Sequence, residues 1–271
     1  MEEVLSEQPA LSLSARVREA AFARGALPAD LRERALLVGA LLLLTWAGYF
    51  VVGLSASPAR AVSLHTPLDE AIPLQPSWMW LYAGVYTASL YPLFTIRCQR
   101  LFRRMILSYV AVNVVCIAVW IAFPVTSVGL RADPASLDPT RFAEWGLRTN
   151  YALDPPLNCF PSLHLAIVLM AALSALRADR RWGAIGLTFA AGVAYAICAV
   201  KQHYVLDGLG GAALAAVLYV VLIHGYDPGE APPEEVAYTW RGPLLYLALH
   251  AAAVGAFALA FAADLRVWEH L

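Results

Sequence analysis

Charge is scarce in this sequence, and lysine scarcer still. Only 14% of the 271 residues are charged while 60% are hydrophobic, and the single lysine is Lys201. A soluble core of this size does not need so much apolar sequence, so a soluble enzyme is excluded and an integral membrane protein is expected. The net charge of −1 gives no sign of nucleic-acid binding, and no such partner is expected. The four cysteines (Cys98, Cys116, Cys159, Cys198) show neither metal-ligand spacing nor a paired pattern. There is no nucleotide-binding loop, no carboxylate cluster suited to magnesium and no internal repeat. No metal and no cofactor is therefore expected. No apolar run occurs before about residue 35, so a cleavable signal peptide is not expected.

What the chain does have is apolar segments of membrane-spanning length, at about 34–55, 77–96, 105–123, 162–178, 183–200, 205–224 and 243–263. In lipid each must be helical, because an exposed backbone group there finds no water to bond. The expected fold class is all-α, a polytopic membrane helix bundle. Residues 1–33 form an N-terminal segment, in which 11–27 alternates apolar and Arg-bearing positions as an interfacial helix would. Residues 34–224 form the core, and 225–271 an acidic, proline-bearing connection followed by one more span. The loop 124–161 is far longer than a connection requires, which marks it as functional.

The arginines set the expected orientation. Thirteen of the 19 basic residues fall on one side of the seven spans: Arg16, Arg18, Arg24, Arg32, Arg34, Arg97, Arg100, Arg103, Arg104, Arg177, Arg180, Arg181 and Arg241. The positive-inside rule then places the N-terminus in the cytoplasm. The segments around His164 and His203 face the periplasm, exterior or lumen.

Those two histidines are the chemistry-bearing features. Two spans separate them, so the chain leaves one membrane face and returns to it. The two imidazoles are expected to meet around a phosphorus-sized gap. His203 and Asp207 are four residues apart at a helix start, which stacks them on one face. A carboxylate on one imidazole nitrogen fixes the tautomer and leaves the other nitrogen nucleophilic. Pro161 suits an early helical position. Ser162 and His164 would then lie in the first turn, where free N–H groups and the helix dipole favour an anion. His164 there can serve as general acid, then base. A phosphoryl group also needs cations, and the candidates are Lys201, Arg131 and Arg148. Asp154 and Asn158 are candidate supporting residues. Trp78, Trp80, Tyr82, Tyr86 and Tyr91 fit an aromatic belt and helix packing. Gly208, Gly210 and Gly211 allow close helix approach, and Asp69 and Glu70 have no evident partner.

Pro161-Ser162-x-His164 and His203-x-x-x-Asp207 resemble the second and third motifs of the type 2 phosphatidic acid phosphatase superfamily. The resemblance spans roughly residues 65–224. It implies a six-helix core, here with one additional C-terminal transmembrane helix, and metal-independent phosphoryl transfer. It also implies His203 as nucleophile, Asp207 as its orienting group and His164 as acid/base. Two departures stand out. Ala196 and Ile197 occupy places where the third motif usually carries Ser-Arg. The first motif usually has a lysine and then Arg-Pro; here only Arg131 matches, and Ala132 follows it. The stretches Leu68 to Leu74, Asp154 to His164 and Lys201 to Tyr204 are similar to the inositol phosphorylceramide and sphingomyelin synthase branch. The implied partners are a phospholipid or lipid phosphate and a lipid alcohol acceptor. Alternatives left open are a lipid phosphate phosphatase releasing inorganic phosphate, a haem protein with His164 and His203 as axial ligands, and a catalytically silent transporter or scaffold.

Overall fold

The computed structural model describes residues 31–227, 229 and 233–269. The expected interfacial helix at 11–27 lies outside them. In chain order the α-helices are α1 (Leu31–Ser55), α2 (Pro67–Ala71), α3 (Met79–Ala83), α4 (Val85–Ala88), α5 (Tyr91–Thr95), α6 (Gln99–Ala122), α7 (Phe142–Leu153), α8 (Leu163–Ala178), α9 (Arg180–Ala199), α10 (Val205–Tyr219), α11 (Pro233–Val236) and α12 (Arg241–Ala262). No strand occurs among the described residues, and the bundle is all-α as expected. Five helical stretches are long and apolar enough to cross a membrane: α1, α6, α9, α10 with its continuation to His224, and α12.

The expected second span is not one helix. Residues 76–95 form a run of short helical pieces, interrupted at Gly84 and at Ser89-Leu90. Pro92 has no N–H for the carbonyl four residues back, and its ring crowds that turn. At the same break Tyr109 on α6 donates to the Ser89 carbonyl at 3.1 Å, tying the interrupted run to its neighbour.

Helix α8 is the axis of the bundle. It is almost wholly apolar, and eleven of its 16 residues are buried. It packs against α9, α10, α6 and the broken run, whereas α1 leans on α6 and α12 leans on α5 and α7. The most apolar stretches of α1 and α12 are 6% and 0% buried, so these two helices are flanking elements. Asp179 caps the tight α8–α9 joint, accepting from Arg181 N and Trp182 N.

The long loop 124–161 holds structure that the sequence pattern did not announce. Helix α7 occupies its middle and ends where Asp154 precedes Pro155-Pro156, since a residue before proline is pushed out of the helical region. The rest is stitched down by backbone bonds from Ser127 N to Pro156 O (2.9 Å) and from Cys159 N to Val125 O (3.2 Å). On the opposite face, Val236, Ala237 and Tyr238 of the 225–242 connection are buried. There Val236 O accepts from Arg97 N at 2.9 Å and Tyr238 N donates to Thr95 O at 3.0 Å.

Candidate active site

Three segments converge on the site: the start of α8, the turn 200–204 and the start of α10. The chain enters α8 through a cis Phe160–Pro161 peptide. Ser162 is the N-cap, so the helix starts later than expected: Pro161 precedes it and Ser162 stands at the cap and not inside the first turn, its hydroxyl accepting from Leu165 N at 3.4 Å. His164 is therefore the second residue of the helix. Ser162 N donates to Asp207 O at 3.0 Å, which joins the α8 cap to the first turn of α10. The two helix starts come this close because residue 211 is glycine: a Cβ there would lie 2.4 Å from Ser162 O. The glycines read as close-approach positions include this one.

The turn before α10 folds back on Ile197, whose carbonyl accepts both Gln202 N (3.1 Å) and His203 N (3.0 Å). Lys201 sits at φ 56, in the left-handed region that a lysine seldom adopts. Its side chain offsets that cost. Nζ donates to Asp69 O at 2.7 Å and Ile72 O at 2.5 Å. Asp69 is in turn 2% exposed, with Oδ1 accepting Val205 N at 2.8 Å and Oδ2 accepting Thr66 N at 2.7 Å. Far from lacking a partner, Asp69 clamps α2 to the start of α10.

The histidines meet, and they meet more closely than expected. His164 Nδ1 lies 3.1 Å from His203 Nε2, and His203 Nδ1 lies 3.4 Å from Asp207 Oδ2. All three residues are buried. With its Nδ1–H turned to Asp207, His203 carries a lone pair on Nε2, which accepts from His164 Nδ1–H. The phosphorus-sized gap expected between the rings is thus closed by the second imidazole, and Nε2 becomes accessible only when His164 turns aside. Asp207 is shared, since Oδ2 also accepts Tyr204 N at 2.9 Å.

The expected cations are placed otherwise. Lys201 is committed to the carbonyls of residues 69 and 72. Arg148 lies over the Trp268 ring, 4.6 Å from its centroid, facing the C-terminal segment and not the histidines. Arg131 is nearer: it donates to Tyr151 O at 3.1 Å and Asp154 O at 2.9 Å. Its Nε is buried and has no partner among the described residues. Ala196 and Ile197 are fully buried, so nothing there replaces the missing motif arginine.

Asp154 is the residue whose importance the sequence understates. Its Oδ1 accepts from Tyr49 Oη, and its Oδ2 accepts from Tyr82 Oη at 2.9 Å and Gln202 Nε2 at 2.6 Å. Tyr82 Oη also stands 3.4 Å from both ring nitrogens of His164. Tyr82, read as an aromatic-belt residue, is therefore a site residue, as is Tyr49 of α1. Only the polar hydroxyls within an apolar run hinted at this. Asn158 reaches Tyr49 O at 3.4 Å and buttresses α1.

Cys159, His203 and Asp207 each offer one ligand-type atom, all within 4.8 Å of one another. Burial, and next the Asp207 charge, push the Cys159 thiol up to about 12. At that value Cys159 is a thiol at neutral pH, and so a poor nucleophile.

Residues 58–221 match the family model described as the PAP2 superfamily. The chain belongs to that superfamily, whose members are typically phosphatases or phosphotransferases. No curated protein and no solved structure matches the chain.

Proposed function

We propose that the protein is a membrane enzyme that transfers the phosphate-bearing headgroup of a lipid through a phosphohistidine on His203. The observation that carries this reading is the buried relay from Asp207 through His203 to His164, on residues that fit two motifs of the superfamily. His203 Nε2 attacks phosphorus once His164 has turned from it, and the ester oxygen leaves with a proton from His164. Asp207 stabilises the positive charge that develops on the ring. Water or a lipid alcohol then attacks the phosphohistidine, and His164 takes the proton back. Arg131, through its unpartnered Nε, is the cation best placed to meet the phosphate oxygens. Lys201 and Ser162 serve the site by shaping it.

The similarity to inositol phosphorylceramide synthases at residues 154–164 and 201–204 favours transfer over hydrolysis. The arginine distribution favours a cytoplasmic N-terminus and a site on the opposite membrane face. The test is turnover of a panel of lipid phosphates and phospholipids by purified protein, with and without added alcohols. A new phosphorylated lipid is the expected product, and free phosphate marks hydrolysis instead. His203→Ala should abolish both; turnover retained by that variant removes His203 as nucleophile.

A further inference from the structure

Beside His164 lies a cavity of about 450 Å³ that does not include His203 or Asp207. Its lining runs along α1 from Val38 to Phe50. That is roughly 18 Å at 1.5 Å per residue, a little more than one leaflet's depth of hydrocarbon. Four walls come from the broken run and from α6, α7 and α8. The other two come from α1 and from His250, Ala253, Val254 and Phe257 of α12. Both of these flanking helices fall outside the matched residues 58–221. Leu42 and Trp46 on α1 and Phe257 on α12 line the cavity and are themselves exposed, so it opens to the surrounding lipid. Within the wall, His250 Nδ1 pairs with Thr87 Oγ1 at 2.9 Å, fixing α12 against the broken run.

The chemistry of its polar end identifies the occupant. Among the described residues no lysine or arginine lines the cavity, while the Asp154 carboxylate does. A phosphate placed there meets a negative charge and no positive one. Two further polar atoms wait at the same end. Asn150 Nδ2 and Thr149 Oγ1 are buried without a hydrogen-bond partner among the described residues, and each residue is 5% exposed. Leaving such groups unpaired is costly, and most buried polar atoms find a partner. The missing partner must accept from the Asn150 amide and, beside the Asp154 carboxylate, must be uncharged. A hydroxyl meets both conditions.

We propose that this chamber, walled by α1 and α12, holds the chain of a neutral long-chain lipid alcohol with its hydroxyl between Asn150 and His164. This rests on the transfer reading above and assigns the chamber to the acceptor, leaving the phosphate-bearing donor outside it. The alcohol oxygen forms the new O–P bond as the N–P bond to His203 breaks, and its proton passes to His164.

Binding can be separated from chemistry in full-length His203→Ala protein. The probes are a diazirine-bearing sixteen-carbon alcohol and the same chain ending in a phosphate monoester. The alcohol should label the segments 79–93 and 146–154, and unlabelled hexadecanol should compete. The phosphate probe should label those segments at least about tenfold less. Ala253→Trp, which fills the chamber, should reduce alcohol labelling by a similar factor, and Asn150→Leu should do so without altering the chamber's apolar wall. Equal or preferential labelling by the phosphate probe overturns the assignment, as does labelling indifferent to both substitutions. If the wild-type protein forms no phosphohistidine yet the labelling pattern holds, the catalytic reading fails and the chamber stands.

Discussion

Gln202 Nε2 donates to Asp154 Oδ2 at 2.6 Å, which ties the turn carrying His203 to the residue that ends α7. The same carboxylate holds Tyr49 of α1 and Tyr82 of the broken run. One buried acid therefore fixes four separate segments around the His164 ring.

Removing that acid should cost both stability and turnover. Asp154→Leu leaves the hydroxyls of Tyr49 and Tyr82 and the amide of Gln202 without their acceptor, at about 1–3 kcal/mol for each buried group stranded. Asp154→Asn keeps the shape but offers a single acceptor oxygen, so a smaller loss is expected. Thermal unfolding in detergent should rank the wild type above Asn and Asn above Leu. The opposite order would mean that the carboxylate is a net burden on the fold.

Lys201 separates two roles that predict different kinetics. As a strap across Asp69 and Ile72, its loss lowers stability by on the order of 1–3 kcal/mol, and the left-handed backbone makes Lys201→Gly milder than Lys201→Met. As a phosphate ligand, its loss would raise KM for any phosphorylated lipid while leaving the melting temperature alone. The strap is expected: both variants should melt earlier, Met more than Gly, with KM nearly unchanged.

The His203–Asp207 pair and the helical architecture were legible in the sequence because both rest on short-range spacing. Asp207 follows His203 by one helical turn, and apolar runs of about twenty residues report themselves. Tyr82 and Lys201 were misplaced because their partners lie 72 and 129–132 residues away, and pairwise contacts at that range leave no periodic trace. The broken second span was hidden for another reason. Hydropathy sees composition, and prolines are tolerated in transmembrane helices when neighbouring groups satisfy the freed backbone. The chamber was invisible too, since its walls combine α1, α12 and several segments between them.

Cys159 lies against His203 and Asp207, yet it should be chemically silent. With its thiol raised to about 12, no appreciable thiolate exists between about pH 6 and 9 in the folded protein. Maleimide should label it only after unfolding, and Cys159→Ala should leave turnover within about twofold. The linkage has a definite sign. The group is protonated in the folded state and ionises near 9 once exposed, so its contribution to stability is complete below pH 9 and is lost as pH rises toward about 12. Rapid labelling of Cys159 itself in native protein at about pH 7 would show that the site is more open than this packing allows.

Gly211 provides the sharpest steric test of the site. A methyl group at this position would stand 2.4 Å from Ser162 O, a backbone atom that cannot rotate away. Helix α10 must then shift from the start of α8, and the displacement falls on the Ser162 N to Asp207 O bond and on the His164–His203 contact it supports. Gly211→Ala should destabilise by about 1–3 kcal/mol, as overpacking does, and Gly211→Val by more. Turnover should fall further than the folded fraction, because a displacement of about 1 Å between the two imidazoles uncouples the proton transfer while most of the bundle stays intact. Gly210→Ala, facing the Phe160 ring, is the control: a side chain there can yield where a backbone carbonyl cannot. Equal losses from the two substitutions would show that the α8–α10 approach does not set the geometry of the histidine pair.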